Sequence, residues 1–164
     1  ATTLGIIYTT IPICHTALML NLKDGVFYMW LVSWCTFMGD TAAYLAGGLW
    51  GRHKAGIFVS PNKTIEGYVG GAVINVLFTF AFYFGADYFW SVPKFTLVEL
   101  TLVSTVLFAL TIIGDLAESL LKRDSGAKDA GGYLAGHGGM LDIVDSLLLT
   151  MPLSYYFIVW RQTP

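Results

Sequence analysis

The chain has 164 residues, 55% of them hydrophobic and only 12% charged, with a mean hydropathy of +0.65. That balance excludes an ordinary soluble domain and points to a membrane protein. A formal charge of −2 gives no basic field for nucleic acid, and Cys14 and Cys35 sit in apolar runs, where a free thiol acts as a small hydrophobe and a disulfide is not expected.

About 20 apolar residues cross a hydrocarbon core of roughly 30 Å. Five such helical spans are expected, at Leu4 to Leu22, Val26 to Leu49, Tyr68 to Trp90, Leu97 to Leu121 and Ile143 to Trp160. The fold expected is therefore an all-α, polytopic transmembrane bundle, one domain over residues 1–164. The sequence opens at Ala1 inside apolar sequence, with no Met and no cleavage site of the secretory kind, so it is expected to be part of a longer chain whose front is missing. Short turns at 23–25 and 91–94 alternate with long polar loops at 50–67 and 122–142. The long loops carry Arg52, Lys54, Lys63, Lys122, Arg123 and Lys128, six of the nine basic residues, against Lys23, Lys94 and Arg161 on the other face. The positive-inside rule places both long loops in the cytoplasm, and Tyr88, Phe89, Trp90, Tyr155, Tyr156 and Trp160 form an aromatic belt on the far side.

In the first span His15 is a lone imidazole without a second ligand at helical spacing, and Pro12 is expected to bend the helix. The second span carries Asp40, a carboxylate that is costly in a membrane unless it serves a polar cavity or a partner. Gly47, Gly48 and Gly51 follow at spacings suited to close helix contact. In the loop SPNKTIEG, residues 60–67, Thr64 with Glu66 is expected to cap the next helix, and Lys63 offers a cation beside that helix entrance, where backbone N–H groups already favour anions. Gly67 and Gly71 form a G-x-x-x-G packing face, and no P-loop pattern is present.

Asp115, Glu118, Ser119 and Lys122 follow at i, i+3, i+4 and i+7 on one face of the fourth helix. They read either as part of a metal site or as a simple Asp115–Lys122 pair. Asp142 and Asp145, at i and i+3, start the fifth helix, where the dipole favours carboxylates. With Asp115 they would make a nest for one or two hard divalent cations such as Mg²⁺. His137, Gly138 and Gly139 form a turn that either brings backbone N–H groups to a phosphate or caps the fifth helix.

Residues 119–145 resemble the C-terminal signature of the CDP-diacylglycerol synthases, or phosphatidate cytidylyltransferases. Ser119, Lys122, Arg123, Lys128, Asp129, Leu134, His137, Gly138, Gly139, Asp142 and Asp145 fall in its register, while Ala135 replaces its Pro or Gly and Ile143 its Arg. Asp40, Thr41, Ala43 and Tyr44, followed by Ser60, Pro61, Lys63, Thr64, Glu66 and Gly67, are similar to a second element of the same family. The resemblance implies that CMP passes from CTP to phosphatidic acid with release of pyrophosphate, at a bilayer surface, with Mg²⁺ and in a homodimer. For that reaction Asp115 and Asp142 are expected as metal ligands, with Asp145 in a supporting or second-metal position, and Lys122, Lys128, Asp129 and His137 as further catalytic residues. Ser60, Lys63, Thr64, Glu66, Ser119, Arg123, Gly138 and Gly139 are then the substrate contacts. A CTP-dependent lipid-alcohol kinase of the phytol or dolichol kinase type shares the helix and loop elements, without the K-D and H-G-G pair. A membrane carrier or an inactive scaffold is the non-enzymatic alternative.

Overall fold

The computed structural model describes residues 2–58, 60–124 and 140–163. Among them are five helices and no named strand: α1 (Thr2–Leu20), α2 (Gly25–Trp50), α3 (Ile65–Phe89), α4 (Leu97–Asp124) and α5 (Met140–Gln162). Each falls close to an expected span. The expected fourth span ends at Leu121, but α4 continues to Asp124 and takes Lys122 and Arg123 into its last turn, where the helix dipole favours cations.

Helices α3 and α4 are long and apolar enough to cross a membrane. Helix α3 has its polarity inside out. Gly67, Gly71, Asn75 and Thr79 are buried, while Val69, Val73 and Leu77 are exposed. Small and polar groups inside with aliphatic groups outside is the arrangement of a helix that faces lipid, where helices associate through close packing and hydrogen bonds instead of water exclusion.

Helices α2 and α3 run antiparallel and share the most extensive contact in the bundle. A Cβ on Gly71 would lie 2.8 Å from the Ala43 Cα, and one on Gly67 would lie 3.1 Å from the Gly47 Cα, so the two backbones touch where the sequence placed its glycine face. Gly48 does not join this contact, because the space beside it is open. Farther along, Cys35 Sγ and Thr79 Oγ1 are 3.2 Å apart, and the Thr79 hydroxyl reaches Ser104 Oγ of α4 at 3.2 Å. The Thr36 hydroxyl donates to Thr150 Oγ1 of α5 at 3.2 Å, and Thr150 donates to the Ser146 carbonyl at 3.1 Å. These hydroxyls are buried and partnered, as an apolar surrounding requires.

The apolar core lies toward one end of the bundle, built from Met19, Tyr28, Leu31, Cys35, Leu107, Met151 and Ile158. His15 is absorbed there, 2.7 Å from the Ile11 carbonyl and 3.4 Å from the Tyr156 hydroxyl, a packing role in keeping with its isolation in the sequence. The short turns close this end. Arg161 donates to the Lys94 carbonyl at 2.6 Å and lies 3.9 Å over the Phe95 ring, and Gln162 donates to the Lys23 carbonyl at 2.9 Å. Lys94 donates to Asp87 at 2.6 Å, which raises the pKa of its ammonium. Chemistry-bearing side chains gather at the opposite end.

Candidate active site

The loop between α2 and α3 is tied at several points. Ala55 N–H donates to the Lys63 carbonyl at 2.9 Å and Ile65 N–H to the His53 carbonyl at 3.0 Å, around a Lys54–Thr64 antiparallel bridge. Ser60 to Lys63 forms a turn closed by Lys63 N–H on the Ser60 carbonyl at 3.3 Å, with Pro61 at the position where its fixed φ suits a β-turn. Thr64 caps α3 as expected, its hydroxyl accepting from Gly67 N–H at 3.2 Å. Glu66 does not share in that cap. Its carboxylate accepts from the N–H groups of Arg52 and His53, each at 3.1 Å, and pairs with the His53 ring, which fastens the start of the loop to the first turn of α3.

This framework aims Lys63 across the bundle. Its ammonium forms an ion pair with the Asp115 carboxylate of α4 and stands 5.7 Å from the Tyr68 ring centroid. Asp115 follows Gly114, whose missing side chain lets α5 come close: a Cβ there would be 3.0 Å from the Ser146 Cα and 3.3 Å from the Asp145 carbonyl. Asp145 and Ser146 are both buried. The Ser146 hydroxyl stands 3.1 Å from Asp145 Oδ1 and 3.1 Å from Asp40 Oδ2, linking α5 to α2. The hydroxyl has one proton to share between two carboxylate oxygens, while the Ser146 N–H also donates to Asp145 Oδ1 at 2.5 Å. Asp115 also acts electrostatically on both Asp40 and Asp145.

Together Asp40, Lys63, Thr64, Asp115, Asp145 and Ser146 line a cleft of about 670 Å³, with Ala43, Tyr44 and Leu45 forming part of an apolar wall. Its three carboxylates against one ammonium suit a hard divalent cation, which takes oxygen donors, better than a soft metal. Among the described residues no three His, Cys, Asp or Glu side chains converge closely enough to hold an ion by themselves. Asp142 is in α5, three residues before Asp145, and its side chain is outside the described residues.

The structure thus brings Asp40, Lys63, Thr64, Asp115 and Asp145 to one place. Lys122 pairs with Glu118, four residues earlier and almost fully buried, so the alternative of an Asp115–Lys122 pair is overturned by a nearer carboxylate at better helical spacing. Arg123 is exposed at the end of α4, Ser119 is half-buried one turn beyond Asp115, and Ser60 helps close its turn through its carbonyl. Lys128, Asp129, His137, Gly138 and Gly139 lie outside the described residues. Gly114, Ser146 and Tyr8 were not singled out by the sequence. Tyr8 of α1 is near enough to feel Asp145 and Glu118, a proximity between distant segments that no local pattern signals.

A lysine-bearing turn, a helix N-terminus and carboxylates from three helices on one cleft define a scaffold suited to anionic phosphates and a cation. The chain belongs to the cytidylyltransferase family, whose model matches residues 1–160. It is 41% identical over 134 residues to a phosphatidate cytidylyltransferase of Staphylococcus haemolyticus, covering 80% of this chain and 48% of that protein. A phosphatidate cytidylyltransferase of Staphylococcus aureus (strain COL) is 41% identical over 128 residues, covering 78% and 46%, and that of Staphylococcus saprophyticus is 38% identical over 134 residues, covering 80% and 48%. The chain therefore spans about half the length of the curated relatives it matches.

Proposed function

We propose that this chain carries the catalytic cleft of a phosphatidate cytidylyltransferase, which transfers CMP from CTP to phosphatidic acid and releases pyrophosphate. The observation that carries the reading is the meeting of the Ser60–Thr64 turn with Asp115, Asp145 and Asp40 on one cleft, in a chain of the cytidylyltransferase family. All five helices cross the bilayer in this reading, with the polar segments at 50–67 and 122–142 of the sequence in the cytoplasm, where CTP is found. The inside-out polarity of α3 and the gathering of basic residues near those loops support it.

In the reaction a phosphate oxygen of phosphatidic acid attacks the α-phosphorus of CTP. The new P–O bond forms as the bond to the β-phosphate oxygen breaks, and pyrophosphate leaves with that electron pair. The attacking phosphate is already ionised near neutral pH, so no side chain need remove a proton. The difficulty is that two anions must meet, and neutralising them is the main catalytic task. Lys63 serves the nucleotide phosphates from the turn, beside the Thr64-capped N-terminus of α3, whose dipole favours anions. Lys122, Arg123 and Lys128 serve the triphosphate and the lipid phosphate, and the apolar wall at Ala43, Tyr44 and Leu45 accepts the lipid. Asp115, Asp142 and Asp145 would hold Mg²⁺, with Asp40 on the same cleft as Asp115 and Asp145. The ion supplies charge neutralisation at the phosphoryl oxygens when bound. The test is pyrophosphate release from CTP by the full chain, which must require both phosphatidic acid and a divalent cation.

A further inference from the structure

Lys63 occupies an unusual position for a phosphate-binding residue, because its ammonium already sits on the Asp115 carboxylate. Both side chains are partly sheltered, at 26% and 29% exposure. The Lys63 charge also bears on Asp40. Around them Asp40 and Asp145 share a single hydroxyl proton, so removing the lysine would leave three carboxylates facing one cleft without a cation from the turn.

We infer that Lys63 is a built-in counter-ion of the cation site: it holds Asp115 while the site is empty and yields it when a divalent cation arrives. The inference rests on reading Asp115 as a cation ligand. The backbone at Lys63 is held by its own N–H on the Ser60 carbonyl, by its carbonyl under Ala55 N–H, by the Thr64 cap and by the Glu66 clamp on Arg52 and His53. The exchange therefore needs only the four-carbon side chain to turn. A divalent cation on Asp115 repels the ammonium. Once released, Lys63 remains tethered at the cleft wall, where an anionic phosphate of the nucleotide is its next partner. Cation binding thereby prepares the nucleotide site, and an empty site avoids bringing unpaired carboxylates together.

This gives opposite signs to two measurements on one variant. In Lys63→Gln a competitor for Asp115 is gone, so a divalent cation binds more tightly, by about three- to five-fold for a partly exposed ion pair. CTP binds more weakly because a phosphate partner is gone. A residue that only contacts phosphate leaves cation affinity unchanged, and one that only supports the fold weakens both.

The experiment titrates the detergent-purified full chain with Mn²⁺, without nucleotide or lipid, following free Mn²⁺ by electron paramagnetic resonance. Wild type is compared with Lys63→Gln, Lys63→Arg and Asp115→Asn. The expected result is tighter Mn²⁺ binding in Lys63→Gln, near-wild-type binding in Lys63→Arg, which keeps the competing charge, and weakened binding in Asp115→Asn. Acylation of Lys63 by an amine reagent, read by mass spectrometry in wild type, is expected to speed up at saturating Mn²⁺. Equal or weaker Mn²⁺ binding in Lys63→Gln, no Mn²⁺ binding in wild type, or a Lys63 acylation rate indifferent to Mn²⁺ overturns the exchange. Failure of the cytidylyltransferase reading is seen separately, as absence of pyrophosphate from CTP and phosphatidic acid, and leaves these titrations to be judged by themselves.

Discussion

Helix α4 comes close to α5 beside the carboxylates, at Gly114. A methyl group there would start 3.0 Å from the Ser146 Cα, against 3.4 Å for ordinary contact, so Gly114→Ala requires the helices to part by about 0.4 Å. Alanine gains roughly 1 kcal/mol of helix propensity over glycine, and overpacking costs roughly 1–3 kcal/mol, so the net loss of stability is at most about 2 kcal/mol. Turnover should suffer more than stability. The displacement falls between Asp115 and the Asp145–Ser146 pair, and a misplacement of 1 Å can cost about a hundred-fold in rate, so 0.4 Å predicts a loss of about five- to ten-fold. Gly114→Val adds bulk at the same point and should lose more. The assay pairs thermal unfolding in detergent with pyrophosphate release from CTP. Wild-type turnover in Gly114→Val, with the protein folded, would refute the claim that this close approach sets the site geometry.

Removing divalent cations with EDTA should abolish pyrophosphate release, and Mg²⁺ or Mn²⁺ should restore it; activity that survives chelation contradicts the proposed role of the carboxylates. Asp145→Asn keeps the shape of a buried side chain and removes its charge, so it should fold as wild type while losing at least about a hundred-fold in turnover, measured in the same assay. Glu66→Ala releases the N–H groups of Arg52 and His53, so limited proteolysis should cut the 52–63 loop faster and KM for CTP should rise, with Glu66→Asp giving partial rescue. Thr150→Val removes one hydroxyl from the pair with Thr36 and should cost about 0.6 kcal/mol, the average for polar contacts between membrane helices, read from the denaturant midpoint in mixed micelles.

What the sequence revealed was local. Apolar run length located five helices, Thr64 before the third run signalled a cap, and Gly67 with Gly71 signalled a face that touches α2. The rest was set by contacts between distant residues. Lys63 and Asp115 are 52 positions apart, and nothing in either neighbourhood says that the lysine's partner is a carboxylate across the bundle. Glu66 reads locally as part of a cap; only the folded loop shows its oxygens turned back to Arg52 and His53. Gly114 passes as a glycine tolerated in an apolar helix until α5 is laid against it. Ser146 follows Asp145 directly, yet its contact with Asp40 spans 106 positions. Asp115 was expected to belong to a metal site or to pair with Lys122, and the i, i+4 geometry gave Lys122 to Glu118 instead.

The proposed reaction joins CTP to phosphatidic acid at this cleft. Pyrophosphate release by the purified full chain, with and without phosphatidic acid and Mg²⁺, beside Asp115→Asn and Asp142→Asn, tests it most directly. Pyrophosphate is expected to need both lipid and cation and to be lost in both variants. Release of CDP on addition of a long-chain alcohol, or no cytidine product under any of these conditions, would contradict it.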